Sequence, residues 1–383
     1  MRYVNFPGFQ QMGRSLSGRV VLYGTGRRAR SLIQEYLLPG GRVSSLYAVS
    51  DSRKHKPFFL SDGSEIPVYQ PEMLLKEREP VTVLLTQEAS LMDAILRLKA
   101  LHLPDSVSYC IAVREYLSAA CCGSGSHERP PIMPGHQIPK LIHCIWFGSQ
   151  QKPELYDRCM ETWSKVMPDY EIRVWNKDTW DVDQHEFTKS AAQEEAWAFI
   201  SDYVRLNVIG RCGGIYLDMD VQVLKRFDDL LDCGAFFAYD ADDNFDLGSG
   251  FGAQAGHPLV LDLMHAYDGK KFTNFSDWNQ PSYLRQIFLD HGIRMDGSFQ
   301  ISGSTVAYPR NRFTPYDSIG HICYADLSDT YSLHLFNSGW LKGDKMTRRD
   351  ARYAGYQAVI DTVGREEFET ASRRAIAKSA KIL

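Results

Sequence analysis

The stretch Cys212-Gly213-Gly214-Ile215-Tyr216-Leu217-Asp218-Met219-Asp220-Val221 decides how this chain is read. An apolar run ends in two aspartates, and a second apolar run follows at 221–224. The pattern predicts a strand end with Asp218 and Asp220 on one face and Met219 on the other. Two carboxylates converging there form a hard-oxygen site that Mg2+ or Mn2+ can share with phosphate. Two further D-x-D triplets, at 181–183 and 240–242, lie in polar surroundings and read as solvated loops.

Working upstream, residues 190–209 read as one helix with an apolar side built from Phe199, Ile200, Tyr203, Val204 and Leu206. Within it, Asp202 and Arg205 stand three apart and share a face. The plainer reading of that pair is an intrahelical ion pair worth roughly a few tenths of a kcal/mol.

Farther upstream the chain changes character. Residues 119–137, AACCGSGSHERPPIMPGHQ, are dominated by Gly, Ser and Pro and lose apolar periodicity, which marks a linker. Before it, strand-like runs at 19–23, 43–49, 81–86 and 107–113 alternate with helix-like segments at 27–38 and 90–101. That alternation predicts a parallel sheet with crossover helices, a Rossmann-like domain at 1–118. Its first turn, GTGRRA, holds Gly24 and Gly26, and Asp51 follows the next strand. In a dinucleotide-binding turn the glycines let a phosphate approach the backbone, and the acid takes a ribose hydroxyl. The plainer reading is a domain that only docks or scaffolds.

The 383 residues carry a formal net charge of −4, which hides a split. Residues 1–118 hold 15 Lys and Arg against 11 Asp and Glu, whereas residues 138–383 hold 27 against 35. Neither segment is basic enough for a nucleic-acid surface. No run approaches the ~18 apolar residues of a membrane span, and the aromatic, polar start of the chain does not read as a secretory leader. The eight cysteines form no C-x-x-C, so free thiols in a reducing cytoplasm are expected.

Four motifs in order are IPKLIHCIWFG (138–148), W-x-x-x-x-PDYEIRVWN (163–176), SDYVRL (201–206) and GGIYLDMDV (213–221). Together they resemble glycosyltransferase family 32, over residues 138 to about 340. The resemblance implies an α/β chain whose second domain, 138–344, has the GT-A nucleotide-sugar-binding fold. It also implies that Trp146 stacks on the nucleotide base. Asp202 and Arg205 would hold the donor sugar and diphosphate. Asp218 would contact ribose, sugar and the metal through water, and Asp220 would ligate Mn2+ or Mg2+ directly. His334 resembles the late histidine that completes the metal site, and Trp340 resembles the tryptophan of the family's closing loop, with Ser338 and Asn337 as further oxygen donors.

The segment 240–252 is rich in Asp, Asn and Gly. Asp242, Asp243, Asn244 and Asp246 are candidates to line donor and acceptor, and residues 248–252 would let a sugar approach the backbone. The tail, 345–383, reads as helical and carries basic residues that suit a peripheral membrane contact with a lipid-linked acceptor. Packing on the chain or a partner is the plainer reading.

The expected activity is a metal-dependent, retaining hexosyl transfer from a nucleotide sugar, UDP-hexose first and GDP-mannose second. The acceptor would be a saccharide or lipid-linked saccharide, as in bacterial surface-polysaccharide synthesis, with the enzyme cytoplasmic or membrane-peripheral. Two other classes compete. A dinucleotide-dependent oxidoreductase or epimerase in 1–118 would need a catalytic Tyr-Lys pair, and no Y-x-x-x-K occurs there. Against a non-catalytic nucleotide-sugar-binding scaffold stand the intact D-x-D, the Asp202–Arg205 pair and Trp146, which do not read as a decayed site.

Overall fold

The computed structural model describes residues 1–4, 16, 18–33, 37, 46–51, 57–60, 63, 65–87, 91–112, 131–148, 151–239, 245–274, 277–278, 280–295, 297–313, 315–317, 322–323, 327–336, 354, 358 and 361–363. The chain divides into two compact units. One comprises residues 1–123 with 319–322 and 343–373, and the other 124–318 with 323–342 and 374–383.

In the first unit the short apolar runs do become strands. They are β1 (Arg2–Tyr3), β2 (Arg19–Tyr23), β3 (Tyr47–Val49), the small hairpin of β4 (Phe58–Phe59) and β5 (Glu65–Ile66), β6 (Val68–Tyr69), β7 (Val81–Leu85) and β8 (Val107–Ile111). Six of them form one all-parallel sheet in the order β1-β8-β7-β2-β3-β6. Every residue of β7 is buried, as a parallel strand covered on both faces requires. The crossover helices are α1 (Arg27–Leu32) and α2 (Leu91–Ala100). Helix α2 buries Leu91, Ala94, Ile95 and Leu98, a stripe at helical spacing. Strand order reverses beside β2, so the turn after Tyr23 opens at a topological switch point. Part of the tail belongs to this unit: the carbonyl of Thr362 accepts from Lys99 Nζ at 3.1 Å, and Val363 is buried.

The second unit is built on a seven-stranded mixed sheet. Its elements run β9 (Leu141–Ile145), α3 (Glu154–Val166), β10 (Glu171–Trp175), α4 (Glu186–Gln193), α5 (Trp197–Cys212), β11 (Gly214–Tyr216), β12 (Val221–Val223) and β13 (Ala235–Ala238). They continue with β14 (Phe251–Ala253), α6 (Pro258–His265), α7 (Gln280–Asp290), β15 (Gln300–Ser302), β16 (Thr305–Tyr308) and β17 (Ser332–His334). The sheet order is β10-β9-β11-β14-β13-β16-β15. Strands β10, β9 and β11 are parallel, and β14 runs against its neighbours β11 and β13. Outside this sheet, β12 pairs antiparallel with β17, with Val221 opposite His334.

Strand alternation splits the core in two. Ile142, Cys144, Ile215 and Phe236 face a cluster around Trp163 of α3. Ile145, Tyr216 and Phe237 face the helices α4 to α7. Helix α5 is buried on nearly every side, Arg205 included, and ends at Gly213 with φ 67. The single helix expected over 190–209 is in fact two. Glu195, at φ 51, takes the left-handed conformation, and Ala196 N–H donates to Ala191 O at 2.8 Å, closing α4 before α5 begins. No glycine or proline marks that break, which is why the sequence pattern runs through it.

Candidate functional site

The two aspartates are not on a strand. Strand β11 stops at Tyr216, and residues 218–221 form a turn closed by Val221 N–H donating to Asp218 O at 3.0 Å. Simple alternation therefore does not bring the carboxylates together. The turn does so, with help from two remote segments. The Asp218 N–H donates to Gly248 O at 3.0 Å, and Leu335 N–H donates to Asp220 O at 3.0 Å. The β12–β17 pairing carries His334 to the same point. Its Nε2 lies 3.2 Å from Asp220 Oδ1 and 3.8 Å from Asp218 Oδ2. One ligand atom from each of Asp218, Asp220 and His334 falls within 4.8 Å of the others. Two carboxylates and an imidazole at that spacing suit a divalent cation.

Helix α5 delivers the second group. Arg205 Nη2 lies 3.0 Å from Asp202 Oδ1 and 3.7 Å from Asp218 Oδ1, and Arg205 Nε donates to Ser201 O at 3.1 Å. Its guanidinium stands 4.7 Å over the ring of Tyr216, whose hydroxyl donates to Asp218 Oδ1 at 2.6 Å. The Asp202–Arg205 pair is thus a buried bridge into the paired aspartates rather than a solvated surface pair. Burial pushes the Asp202 carboxyl up to about 7 against the opposing pull of Arg205, with Asp218 and Asp246 adding to the rise. Against burial, which favours a neutral ring, Asp220 and Asp246 hold the His334 imidazole well above its ordinary value.

Trp146 follows β9 directly. Its N–H donates to Trp175 O at 2.8 Å, and its ring packs edge-on against Tyr156 with centroids 5.6 Å apart. A Cβ on Gly148 would come within 2.8 Å of the indole, so glycine there leaves room for the ring. Because β9, β10 and β11 are parallel, Trp146 and Asp218 leave the sheet at the same edge, the carboxyl ends of the strands.

The expected lining residues that the structure describes have partners within the chain. Asp246 accepts from His334 Nδ1, at 3.0 Å. Gly248 does allow a close approach, but the group that approaches is Asp218. Tyr216 and Ser249 join the site without being marked as site residues by the sequence motifs. Tyr216 stands two residues before Asp218, a spacing that a strand reading could have used. Asn244, Asp242, Asp243, Asn337, Ser338 and Trp340 lie outside the described residues.

In the first unit, Gly24 adopts φ 109 and Gly26 caps α1. An added Cβ on Gly24 would meet Gln87 at 2.9 Å. Asp51 accepts from the Tyr23 hydroxyl at 2.6 Å and faces Arg97 Nε at 3.6 Å. The three expected residues share the carboxyl edge of the sheet, and both oxygens of Asp51 are engaged by the chain itself.

Residues 153–236 match the family described as "Glycosyltransferase sugar-binding region containing DXD motif". That region contains Asp202, Arg205, Asp218 and Asp220. Inositol phosphoceramide mannosyltransferase 3 of Schizosaccharomyces pombe is 27% identical over 135 residues, 33% of this chain and 36% of the relative. An uncharacterized glycosyltransferase of Acanthamoeba polyphaga mimivirus is 28% identical over 131 residues, 32% of this chain and 52% of the relative. The chain therefore spans about half or less of the curated relatives it matches. Among solved structures, the PaToxG glycosyltransferase aligns at TM-score 0.34 and 17% identity, over 46% of this chain and 73% of its own. A glycosyltransferase involved in the glycosylation of the major capsid of PBCV-1 aligns at 0.29 and 12%, over 57% of this chain and 99% of its own.

Proposed function

We propose that the second unit is a glycosyltransferase that moves a hexose from a nucleotide-diphosphate sugar to a saccharide or lipid-linked saccharide, with retention at the anomeric carbon. The observation that carries the reading is the convergence of Asp218, Asp220 and His334 beside the Asp202–Arg205 bridge. The match over 153–236 covers that same region. UDP-hexose is the first donor to test and GDP-mannose the second.

On this reading Asp218, Asp220 and His334 hold Mn2+ or Mg2+, which when bound offsets diphosphate charge in the donor and in the leaving group. Arg205 supplies the fixed cationic partner, and its planar fork suits phosphate oxygens. Its contacts with Asp202, Asp218 and the Tyr216 ring fix the guanidinium before any ligand arrives. Trp146 offers a face to the base. The buried Asp202 carboxyl lies within reach of sugar hydroxyls approaching Arg205.

A cytoplasmic or membrane-peripheral location fits the free, buried thiols of Cys110, Cys144, Cys159 and Cys233. Among the described residues no helix is long and apolar enough to cross a membrane. The first unit is the candidate for a second nucleotide or sugar ligand near Gly24, Gly26 and Asp51, supported by its switch-point position.

The deciding experiment measures hydrolysis and transfer across a panel of nucleotide sugars, with Mn2+ and with excess chelator. The reading expects turnover that requires the cation and is lost in Asp220→Ala. Full activity in chelator, or in that variant, overturns it.

A further inference from the structure

We infer that Asp246 is a positioning residue that holds the His334 ring and its Nδ1 hydrogen in place, so that Nε2 is the nitrogen turned toward Asp218 and Asp220 and gives up its own proton when a cation takes that place. The inference rests on the cation site proposed above and goes beyond it, because Asp246 touches neither carboxylate ligand.

The geometry around the ring is asymmetric. Nδ1 lies 3.0 Å from Asp246 Oδ2 and 3.2 Å from Ser249 Oγ. The Ser249 hydroxyl donates to the same carboxylate oxygen, and Gly248 N–H donates to Asp246 Oδ1 at 2.9 Å. An ionised carboxylate only accepts, so Nδ1 must carry the hydrogen. Both Asp246 oxygens are thereby tied, and the carboxylate cannot swing away. The ring face is held as well: Phe336 stacks on it with centroids 4.1 Å apart. What remains is Nε2, 3.2 Å from Asp220 Oδ1 and aimed between the two aspartates. A histidine that ligates a metal through one nitrogen commonly donates its other N–H to a carboxylate, which orients the ring and strengthens it as a ligand.

Asparagine at 246 is nearly the same size but can offer an acceptor on one side only. If its amide nitrogen faces His334, it donates to Nδ1 and drives the hydrogen to Nε2, where it blocks the cation. If the nitrogen faces Gly248, a backbone hydrogen bond is lost and the acceptor loses its charge. Either outcome weakens the site without removing a ligand.

The test uses the full chain without donor. Binding of Mn2+ alone is followed through the free-ion electron paramagnetic resonance signal in wild type and Asp246→Asn. Wild type is expected to bind, and the variant to bind roughly 10–100-fold more weakly. Equal affinity in the two proteins overturns the inference while leaving the cation site intact. No binding by wild type overturns the cation site itself, and the inference with it. A second readout does not depend on the variant folding: the 15N shifts of His334 in Mg2+-saturated wild type. Protonation at Nδ1 is expected, and protonation at Nε2 overturns the inference.

Discussion

Gly248→Ala is the sharpest perturbation this site allows. Gly248 does not have a positive φ, so alanine meets no backbone penalty there. The obstacle is space. A Cβ at 248 would lie 2.2 Å from Asp218 Oδ2 and 3.0 Å from His334 Cε1. An ordinary contact needs about 3.4 Å, so the carboxylate must retreat by about 1 Å. It cannot do so freely, because Oδ1 accepts from Tyr216 at 2.6 Å and faces Arg205 at 3.7 Å. Displacing a positioned group by ~1 Å costs about 100-fold in rate. Stability should fall modestly, because overpacking costs about 1–3 kcal/mol while alanine's restriction of the unfolded chain returns about 0.4–1 kcal/mol. The expected result is a melting temperature a few degrees below wild type beside a loss of about 100-fold in cation-dependent transfer. Steady-state kinetics with saturating Mn2+ and a thermal melt on the same preparation measure both. Wild-type turnover in Gly248→Ala would refute the claim that Asp218 is held against this glycine.

Three further perturbations have expected outcomes. Burial lowers the His143 imidazole to about 4, and the neutral ring accepts from Trp175 Nε1 at 2.9 Å while donating to Gly213 O at 2.9 Å. Its folded value lies below the unfolded ~6.5, so the unfolded state takes up the proton first. Stability should fall as pH drops from about 6.5 to 4, by on the order of 3 kcal/mol, and chemical denaturation of His143→Gln should show a shallower decline. Trp163→Phe removes the indole N–H that donates to Val221 O at 2.7 Å just after the paired aspartates. Urea unfolding should report a loss of about 1–3 kcal/mol, and an unchanged midpoint would contradict it. Asp220→Asn should weaken binding of a nucleoside diphosphate with Mn2+ present yet strengthen it several-fold in chelator, because one repelling charge is gone. Calorimetry showing weaker binding in both conditions would rule out that electrostatic account.

How much of this was legible in sequence depends on the range of the contacts. Strands β2 and β7 and helix α2 emerge where their apolar patterns place them, because each pattern reflects its own burial. Asp202 and Arg205 are legible as a pair since helical geometry alone joins them, but their burial comes from how α5 packs. The D-x-D segment reads as strand but folds as a turn, because leaving the ladder at Tyr216 depends on Gly248 O, a partner far along the chain. His334 was visible only through the family resemblance. Nothing local to Ser332–His334 announces that β17 pairs with β12. The contact of Asp246 with His334 is illegible for the same reason, since the two stand far apart in the chain.

The charge split acquires a physical meaning once the site is assembled. The excess acid of residues 138–383 is not spread evenly, because Asp202, Asp218, Asp220 and Asp246 crowd around one arginine and one histidine. Each carboxylate is tied to one of those two cations, so none is a stray surface charge. Arg205 is shared between Asp202 and Asp218, and His334 between Asp220 and Asp246. An anionic diphosphate approaching this cluster meets like charge, and Arg205 is already committed to two carboxylates. The proposed activity therefore requires added positive charge at the point where Asp218, Asp220 and His334 converge, which is where this chain gathers ligand atoms of the right chemistry. The same reasoning explains why the second unit needs no basic cradle. A site that is acidic without its cation favours a donor that arrives with the metal over a free phosphate that arrives without it.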